Sequence, residues 1–344
     1  AMALSSCSEP AKPIAIDNAL TAEEIAAARL TPEVMWKMRR IGSAEVSADG
    51  STVLYTVTDY SMAENRGVTR IYTLDIATGN TSELTDTSSN NTAARWGGDG
   101  NIWFLSNRSG SMQVWRMAAD GSSQKQITDI EGGVEDFGIN NDCTALHYIK
   151  GVQVKAIRSA EVHPDMDKSK ARIYDDLMVR HWDYWDEGDY SHIFVADITT
   201  DGLKNDKDIL GAEAAWDAPL APYFDTAEIA WSNNGKMLAY TCKPLTGTEY
   251  AISTDSDIFI YDVASGQSQN ICKALPDGVM LNTDRRRVPQ MPGYDKYPAF
   301  SPDGRTLYFC SASAKELPKD YDQIRYNLCS IAFNPEDGTF GNQI

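Results

Sequence analysis

Histidine is scarce in this chain, with four in 344 residues, and no two of its six cysteines have the Cys-x-x-Cys spacing. Protein zinc sites need several such ligands at short spacings, so we expect neither a metal nor a cofactor. No apolar run approaches the roughly 20 residues of a membrane span. Lys and Arg number 31 against 49 Asp and Glu, a formal net charge of −18. Because nucleic-acid phosphates are bound by basic surfaces, this balance excludes nucleic acid as an expected partner.

The sequence also lacks Gly-x-Ser-x-Gly, the motif that places a nucleophilic serine at the strand-to-helix turn of an α/β-hydrolase. Nor does it alternate strand and helix patterns in a way that could hold such a turn. The four histidines all fall in predicted strands or in a long loop: His147, His163, His181 and His192. We therefore expect no catalytic residue in this chain.

A short repeated phrase is the strongest positive signal. Ser301-Pro302-Asp303-Gly304 stands directly before the strand-like run Arg305-Thr306-Leu307-Tyr308-Phe309. Asp-Gly supplies a residue that tolerates positive φ, and the aromatic and aliphatic residues after it favour a buried strand. Related phrases recur at residues 47–50, 98–100, 140–142 and 232–235.

Each phrase is followed by an alternating strand, a second turn and a short closing strand. About four strands per unit, repeated every 40 to 50 residues or so, predict an all-β fold, a β-propeller of four-stranded blades. We predict about five blades within residues 43–344, and these are expected near residues 43–86, 91–129, 133–210, 227–273 and 297–344.

A helical lead-in is predicted for residues 21–42. Thr21 and Glu24 form a capping-box pattern, and Thr31-Pro32-Glu33 begins a second helix with proline at its first position. Before it, residues 1–20 are interpreted as a signal remnant followed by a polar tether. Leu4-Ser5-Ser6-Cys7 has the pattern of a bacterial lipobox, in which Cys7 becomes the lipidated residue, although the positively charged start of such a signal is missing and a chance match stays open.

The third repeat departs from the period. Its second and third strands, near Leu146–Lys150 and His192–Asp197, are separated by some forty residues, and insertions of this length are usually functional. Within the insertion lies a segment rich in aromatic and charged residues, whose candidate binding residues are Arg180, Trp182, Asp183, Trp185, Asp186 and Glu187. Aromatic faces together with carboxylates can bind an ammonium group. The alternative is that both tryptophans pack the insertion against the next blade while the acids are solvated.

Two stretches resemble one family. Leu30-Thr31-Pro32-Glu33 leading through Arg40-Ile41-Gly42 to Val46-Ser47-Ala48-Asp49-Gly50 is similar to the propeller entry of prolyl oligopeptidase family serine peptidases. The segment from Arg180 to Ser191-His192-Ile193-Phe194-Val195-Ala196-Asp197 resembles the hairpin of their dipeptidyl-peptidase and acylaminoacyl-peptidase branch.

The resemblance implies that the chain is the N-terminal propeller of a serine exopeptidase, truncated from seven or eight blades. In that family the propeller caps the active site of a C-terminal hydrolase domain, and in its dipeptidyl peptidases acidic side chains hold the substrate amino terminus. The implied partners are short peptides with a free amino terminus, the chain's own hydrolase domain and a second copy of the chain. The alternative function is a non-enzymatic, Tol-B-like periplasmic binding module.

The location expected from the lipobox is the periplasm or the outer membrane of a Gram-negative bacterium, with the membrane reached only through the lipid on Cys7. In that oxidising compartment Cys310 and Cys329, on neighbouring predicted strands, are a candidate disulfide. Two ordinary buried thiols are equally compatible with the sequence.

Overall fold

A computed structural model describes residues 12–271, 293–313 and 326–340. The chain forms two compact units, residues 1–136 and residues 137–344. In both units the regular structure is dominated by antiparallel sheets whose strands follow one another in chain order. This up-and-down sheet is the blade of a β-propeller, so the predicted all-β fold is confirmed. The number of blades in the complete propeller stays a prediction.

The first unit contains two helices and two four-stranded sheets. The helices are α1 (Ala22–Ala27) and α2 (Pro32–Lys37). The first sheet consists of β1 (Arg40–Val46), β2 (Thr52–Ser61), β3 (Arg66–Asp75) and β4 (Thr81–Glu83). The second consists of β5 (Asn91–Trp96), β6 (Ile102–Ser106), β7 (Gln113–Met117) and β8 (Lys125–Gln126). The two sheets bury a shared apolar layer, formed by Leu54, Ile71, Ala94, Ile102, Phe104 and Met117.

In its described residues the second unit contains three larger sheets and one two-stranded sheet. The third sheet consists of β9 (Asp136–Ile139), β10 (Ala145–Gln153), β13 (Asp189–Thr199) and β14 (Gly202–Asp208), and a separate pair, β11 (Arg180–His181) and β12 (Tyr184–Trp185), lies between β10 and β13 in sequence. The fourth consists of β15 (Ile229–Trp231), β16 (Met237–Cys242), β17 (Asp257–Asp262) and β18 (Gln267–Asn270). The fifth shows β19 (Gly293–Phe300), β20 (Thr306–Ser313) and β21 (Asn327–Ala332).

The helical elements of the second unit are short. They are α3 (Ser159–Val162), α4 (Gly247–Ile252) and two 3₁₀ helices, Pro164–Met166 and Thr226–Glu228. Apolar side chains fill the spaces between successive sheets, with Ile149, Ile193, Leu238 and Tyr240 between the third and fourth and Ile258, Ile260, Leu307 and Phe309 between the fourth and fifth.

The repeated turn phrases form one kind of turn. In the fifth sheet the Asp303 carboxylate accepts hydrogen bonds from the Ser301 hydroxyl (2.5 Å) and the Arg305 amide (3.0 Å), and the first sheet repeats this with Asp49, Ser47 and Ser51. The turn ends in a residue with left-handed backbone, which is glycine at Gly50 and Gly304, with φ near +70°. Because these hydrogen bonds are local, a four-residue phrase is enough to begin the next strand.

The third sheet has the weaker copy of this turn. Its left-handed position is occupied by Cys143, with φ +57°, where the other turns have glycine. A Cβ atom in this region is strained, so this turn is less favourable locally than its relatives.

Turns of the second unit are also hydrogen-bonded to one another. The Asn141 side chain donates to the Asn233 carbonyl (3.0 Å), and the Asn233 side chain donates to the Pro302 carbonyl (2.7 Å). One asparagine in each of two successive turns therefore links the third, fourth and fifth sheets along one edge.

The lead-in differs in detail from the sequence-based expectation. Thr21 and Thr31 cap α1 and α2 as predicted, but α2 ends at Lys37 and the chain is already strand from Arg40, within the range expected to be helical. The reason is an ionic cluster centred on the fully buried Asp59: the half-exposed Arg39 donates to it (2.9 Å), and it also accepts a hydrogen bond from Arg70. The pairing of Arg39 with Asp59 holds the start of β1 beside β2.

Part of the predicted tether also contacts the first sheet. Ile14 is buried and its amide donates to the Thr87 carbonyl (3.2 Å), and the Asn18 side chain donates to Asp59 (2.5 Å). Cys7 lies outside the described residues.

Cys310 and Cys329 are free thiols on adjacent strands. Cys329 is directly opposite Phe309, and Cys310 is directly opposite Leu328. Successive residues of a strand point to opposite faces, so the two sulfur atoms lie on opposite faces of the sheet. The structure therefore contains two separate thiols where the sequence also allowed a disulfide.

Candidate functional site

The long insertion leaves the third sheet without breaking its ladder. Strands β10 and β13 pair continuously from Ala145 opposite Asp197 to Gln153 opposite Asp189. The insertion, residues 154–188, emerges beyond the last of these pairs, where the Val154 and Lys155 amides both donate to the Gly188 carbonyl (2.9 and 3.0 Å). The insertion is thus a side structure on an intact blade.

Within the insertion, β11 and β12 form a two-stranded hairpin. Arg180 is opposite Trp185 and His181 is opposite Tyr184, so the turn consists of Trp182 and Asp183. Trp182 has left-handed backbone (φ +46°), and its carbonyl accepts a hydrogen bond from the Arg180 guanidinium (2.9 Å). This hairpin presents its turn residues, Trp182 and Asp183, to solvent.

The hairpin exposes aromatic rings that do not pack into the core. The Trp182 side chain is 65% exposed and meets the Tyr223 ring edge-on, at 6.1 Å between centroids, and Tyr223 is itself 69% exposed. The guanidinium groups of Arg180 and Arg172 lie over the Trp185 ring, at 5.6 and 5.8 Å. Trp182 is therefore largely accessible, while Trp185, which is 45% exposed, lies against arginines of the insertion itself.

The three candidate acids have three different environments. Glu187 is paired with Arg172, whose Nε donates to it at 2.8 Å, and with Arg158 at 3.3 Å. The Arg172 hydrogen bond holds the pKa of the Glu187 carboxyl below its ordinary range. Asp186 accepts a hydrogen bond from the Gly188 amide (2.7 Å) and stabilises the turn that leads into β13.

Asp183 differs from both because it is exposed and forms no ion pair within the described part of the chain. It lies between Trp182 and Tyr184 in sequence, at the tip of the hairpin. Of the three predicted carboxylates, Asp183 is therefore the one placed to meet an external cation.

Several residues near this site gave no signal in the sequence. Arg158 and Arg172, which neutralise Glu187, are distant from it in the chain, and Tyr223 lies in the connection between the third and fourth sheets. No motif or spacing in the sequence links these residues to the hairpin segment.

An acidic residue also lies at the base of the hairpin. The Asp217 carboxylate accepts a hydrogen bond from the Ser191 amide (2.8 Å) at the start of β13. Burial raises the pKa of Asp217 to about 7. Its charge, like that of Asp183, adds to burial in raising the pKa of the Tyr184 hydroxyl, which places Asp217 close to the hairpin.

Metal-binding and membrane-spanning features were sought in the same ranges. Residues 12–271, 293–313 and 326–340 contain no group of three or more His, Cys, Asp and Glu side chains arranged to hold a metal ion. None of the described helices is long and apolar enough to cross a membrane.

Comparison with known proteins gives two consistent matches. The chain is 34% identical over 283 residues to dipeptidyl-peptidase 5 of Porphyromonas endodontalis. This alignment covers 82% of this chain and 38% of the relative. It is 35% identical over 296 residues to dipeptidyl-peptidase 5 of Porphyromonas gingivalis, with 86% and 40% covered. The chain thus spans about two fifths of the length of these relatives. No protein-family model matches the sequence.

Among solved structures, acylaminoacyl peptidase of Pyrococcus horikoshii matches with a TM-score of 0.56 at 13% identity, over 88% of this chain and 39% of that one. At this identity the likeness concerns the fold alone. The dipeptidyl-peptidase 5 matches confirm the predicted family, and the structural match agrees with the predicted fold. The chain therefore belongs, as a β-propeller portion, to the prolyl oligopeptidase family of serine peptidases, in the branch of dipeptidyl and acylaminoacyl peptidases.

Proposed function

We propose that this chain is the access-controlling propeller of a secreted dipeptidyl peptidase and that its hairpin binds the free amino terminus of short peptides. The peptidase relatives support the enzyme class. In this proposal the hydrolysis itself is performed by an α/β-hydrolase domain of the whole protein, through a serine activated by histidine. The propeller's contribution is to restrict entry and to position one end of the peptide.

One observation carries the assignment of the hairpin. Asp183 is an exposed carboxylate at a turn flanked by Trp182 and Tyr184, and Arg180 is engaged with Trp185 and the Trp182 carbonyl instead of neutralising it. A peptide ammonium could receive both a charge-assisted hydrogen bond and cation–π contact here. Glu187 is already held by two arginines, so the structure favours Asp183 over Glu187 for this role.

The test uses the full-length protein that contains this chain. We expect Asp183→Asn to raise KM for a substrate with a free amino terminus about ten- to hundredfold, because a hydrogen bond between charged groups contributes about 1.5–3 kcal/mol. The kcat should change little, since the serine and histidine are elsewhere. An N-acetylated analogue of the same peptide should be unaffected by the substitution.

Asp201→Asn is the matched control, because Asp201 is an exposed acid in the turn after β13, at the opposite end of that strand from the hairpin. The assignment is wrong if Asp183→Asn and Asp201→Asn give the same kinetics. Equal effects of Asp183→Asn on free and acetylated peptides would also contradict it, because the loss would then not involve the amino terminus.

We further propose that Cys7 carries a lipid that anchors the protein in the periplasm or at the outer membrane, as its lipobox pattern suggests. Labelling of the wild-type protein with a radioactive fatty acid, and loss of label in Cys7→Ser, would support this. Equal labelling of both proteins would refute it.

A further inference from the structure

His192 is a fully buried histidine whose two ring nitrogens both meet acceptors. Its Nδ1 lies 2.8 Å from Oδ2 of Asp208, at the end of β14, and its Nε2 lies 2.8 Å from the carbonyl oxygen of Ala214. Ala214 belongs to the connecting loop, residues 209–225, which joins the third sheet to the fourth. The imidazole therefore bridges a strand and a loop.

Neither partner of His192 is suited to donate a proton. The Ala214 carbonyl can only accept, and the other oxygen of Asp208 already accepts hydrogen bonds from the Leu210 and Gly211 amides (2.9 and 3.1 Å), as an ionised carboxylate does. A neutral imidazole has one N–H and could satisfy only one of the two contacts. Both contacts are hydrogen bonds only if His192 is protonated on both nitrogens.

The charges around His192 favour this imidazolium form. Burial by itself would lower the pKa of His192, but the hydrogen bond and charge of Asp208, the Ala214 carbonyl and the charge of Asp217 outweigh it, so the pKa lies above its ordinary value of 6.5. The opposing group is Lys150, which is directly opposite His192 on β10.

Two titratable groups reach this region from β16 of the fourth sheet. Tyr240 lies near Asp208, and Cys242 lies near Asp217. Burial raises the pKa of both groups, so both are uncharged across neutral pH. Asp208, and Asp217 in its ionised form, therefore favour the charged form of His192, and Lys150 opposes it.

We propose that His192 is a positively charged clasp that holds the connecting loop against β13, and that loss of its proton releases this loop and the support it gives to the hairpin. Beyond Ala214, the Asp217 carboxylate accepts from the Ser191 amide and the Ala218 amide donates to the Ser191 carbonyl (both 2.8 Å). The loop then leads to Tyr223, which contacts Trp182. This inference concerns the chain alone and does not depend on the proposed function.

The direction of the pH effect follows from the raised pKa. The clasp is present below pH 6.5 and is lost as pH rises through the pKa of folded His192, which lies above 6.5. When the proton leaves, the buried Ala214 carbonyl or the Asp208 carboxylate loses its donor, and the loop gains freedom to find water instead.

The first experiment is nuclear magnetic resonance of the wild-type 344-residue chain with labelled histidine rings. The chain has four histidines, so His192→Gln assigns the signal. We expect His192 to have predominantly imidazolium nitrogen shifts at pH 6.5, where an ordinary histidine is only half protonated. A single neutral tautomer at that pH in the wild-type chain would overturn the proposal without recourse to any variant.

The second experiment uses Asp208→Asn. The asparagine oxygen can still accept from Leu210 and Gly211, while its amide nitrogen can donate to Nδ1 of a neutral His192, whose Nε2–H then serves Ala214. In this variant both hydrogen bonds of His192 can form with a neutral imidazole. We expect the titration of His192 to shift below that of the wild type and the connecting loop to stay closed at high pH.

Hydrogen exchange of the loop amides measures directly whether the connecting loop is closed. Across the pH range in which the ring signals show His192 losing its proton, and after correction for the intrinsic rate, protection of the Ala214 and Ala218 amides should fall more than tenfold in the wild type and remain in Asp208→Asn. Asp206→Asn is the matched control, because it removes a charge from the same strand while its side chain bonds the Tyr148 hydroxyl instead. Asp206→Asn should lose protection with rising pH as the wild type does. If Asp208→Asn loses protection to the same extent as the wild type, the clasp is refuted.

Discussion

A double-mutant cycle on the buried pair of Glu228 and Lys296 tests how the second unit is held together. Glu228 ends the 3₁₀ helix before β15 and Lys296 lies on β19, and both are buried, with 2.5 Å between Nζ and Oε1. The rings of Tyr294 and Tyr297 lie 5.2 and 4.9 Å from the ammonium. Burial alone would lower the pKa of Lys296, but the Glu228 carboxylate raises it above its ordinary value.

Each partner is stable in the interior only because of the other. Glu228→Gln keeps the acceptor for the Leu220 amide (2.8 Å) but leaves a buried ammonium, and removing one partner of a buried pair costs about 3–5 kcal/mol. Lys296→Met should cost less, about 2–3 kcal/mol, because burial already favours the protonated form of Glu228 and the carboxyl can take up a proton. That cost should be smaller at pH 5 than at pH 8, since a raised carboxyl pKa means that stability is lost as pH rises.

The assay is urea unfolding of the 344-residue chain, followed by circular dichroism, for wild type, both single variants and the double variant. We expect the double variant to be less destabilised than the sum of the singles by about 2 kcal/mol or more, as residues in direct contact are coupled. Glu249→Gln, an exposed acid in α4, is the control and should lie within about 0.5 kcal/mol of wild type. If the destabilisation of the double variant equals the sum of the two single variants, Glu228 and Lys296 do not form a charged pair shielded from water.

Four further substitutions test stability. Cys143→Gly should stabilise the chain by about 0.5–1 kcal/mol because it relieves a left-handed Cβ, while Gly50→Ala, at φ +72° with open space around it, should destabilise by about 1 kcal/mol, both measured by urea unfolding. Asp59→Asn should lower the free energy of unfolding by about 3 kcal/mol at pH 7. Burial would raise the pKa of Asp59, but Arg70 and Arg39 outweigh burial and lower it. The stability that Asp59 gives the wild type should therefore be lost as pH falls below about 4, where the melting temperatures of wild type and variant should converge. Asp217→Asn keeps the acceptor for the Ser191 amide and removes a buried charge, so it should stabilise the chain at pH 8 by about 1–2 kcal/mol, allowing for partial exposure. At pH 5, which lies between the ordinary value of 3.8 and the raised pKa of about 7, the gain should be roughly a third as large, as thermal melts at both pH values can measure.

Much of the fold could be predicted because its signals are local. The turn built on Asp303 is complete within five residues, and the caps at Thr21 and Thr31 within four. A turn motif whose hydrogen bonds are all local forms the same turn wherever it occurs. The repeated motifs therefore predicted where strands of successive sheets begin. The place where the lead-in turns into strand depends instead on Asp59, twenty residues beyond Arg39, and was misplaced.

The candidate site was found in outline but not in detail for the same reason. Aromatic and acidic composition pointed to the segment containing Asp183, Asp186 and Glu187, and all three lie in or beside the hairpin. Their different environments come from Arg158 and Arg172, whose approach to Glu187 depends on the path of the whole insertion. No spacing rule in the sequence links those residues.

The unbroken ladder between β10 and β13 has a consequence for how such proteins diversify. Because residues 154–188 leave the sheet and return at a single point, an ancestral blade could gain, lose or exchange this segment without altering any strand pairing. Selection on the hairpin would then be largely free of selection on folding. Among homologous propellers, this segment should vary in length and chemistry much faster than the strands that carry it.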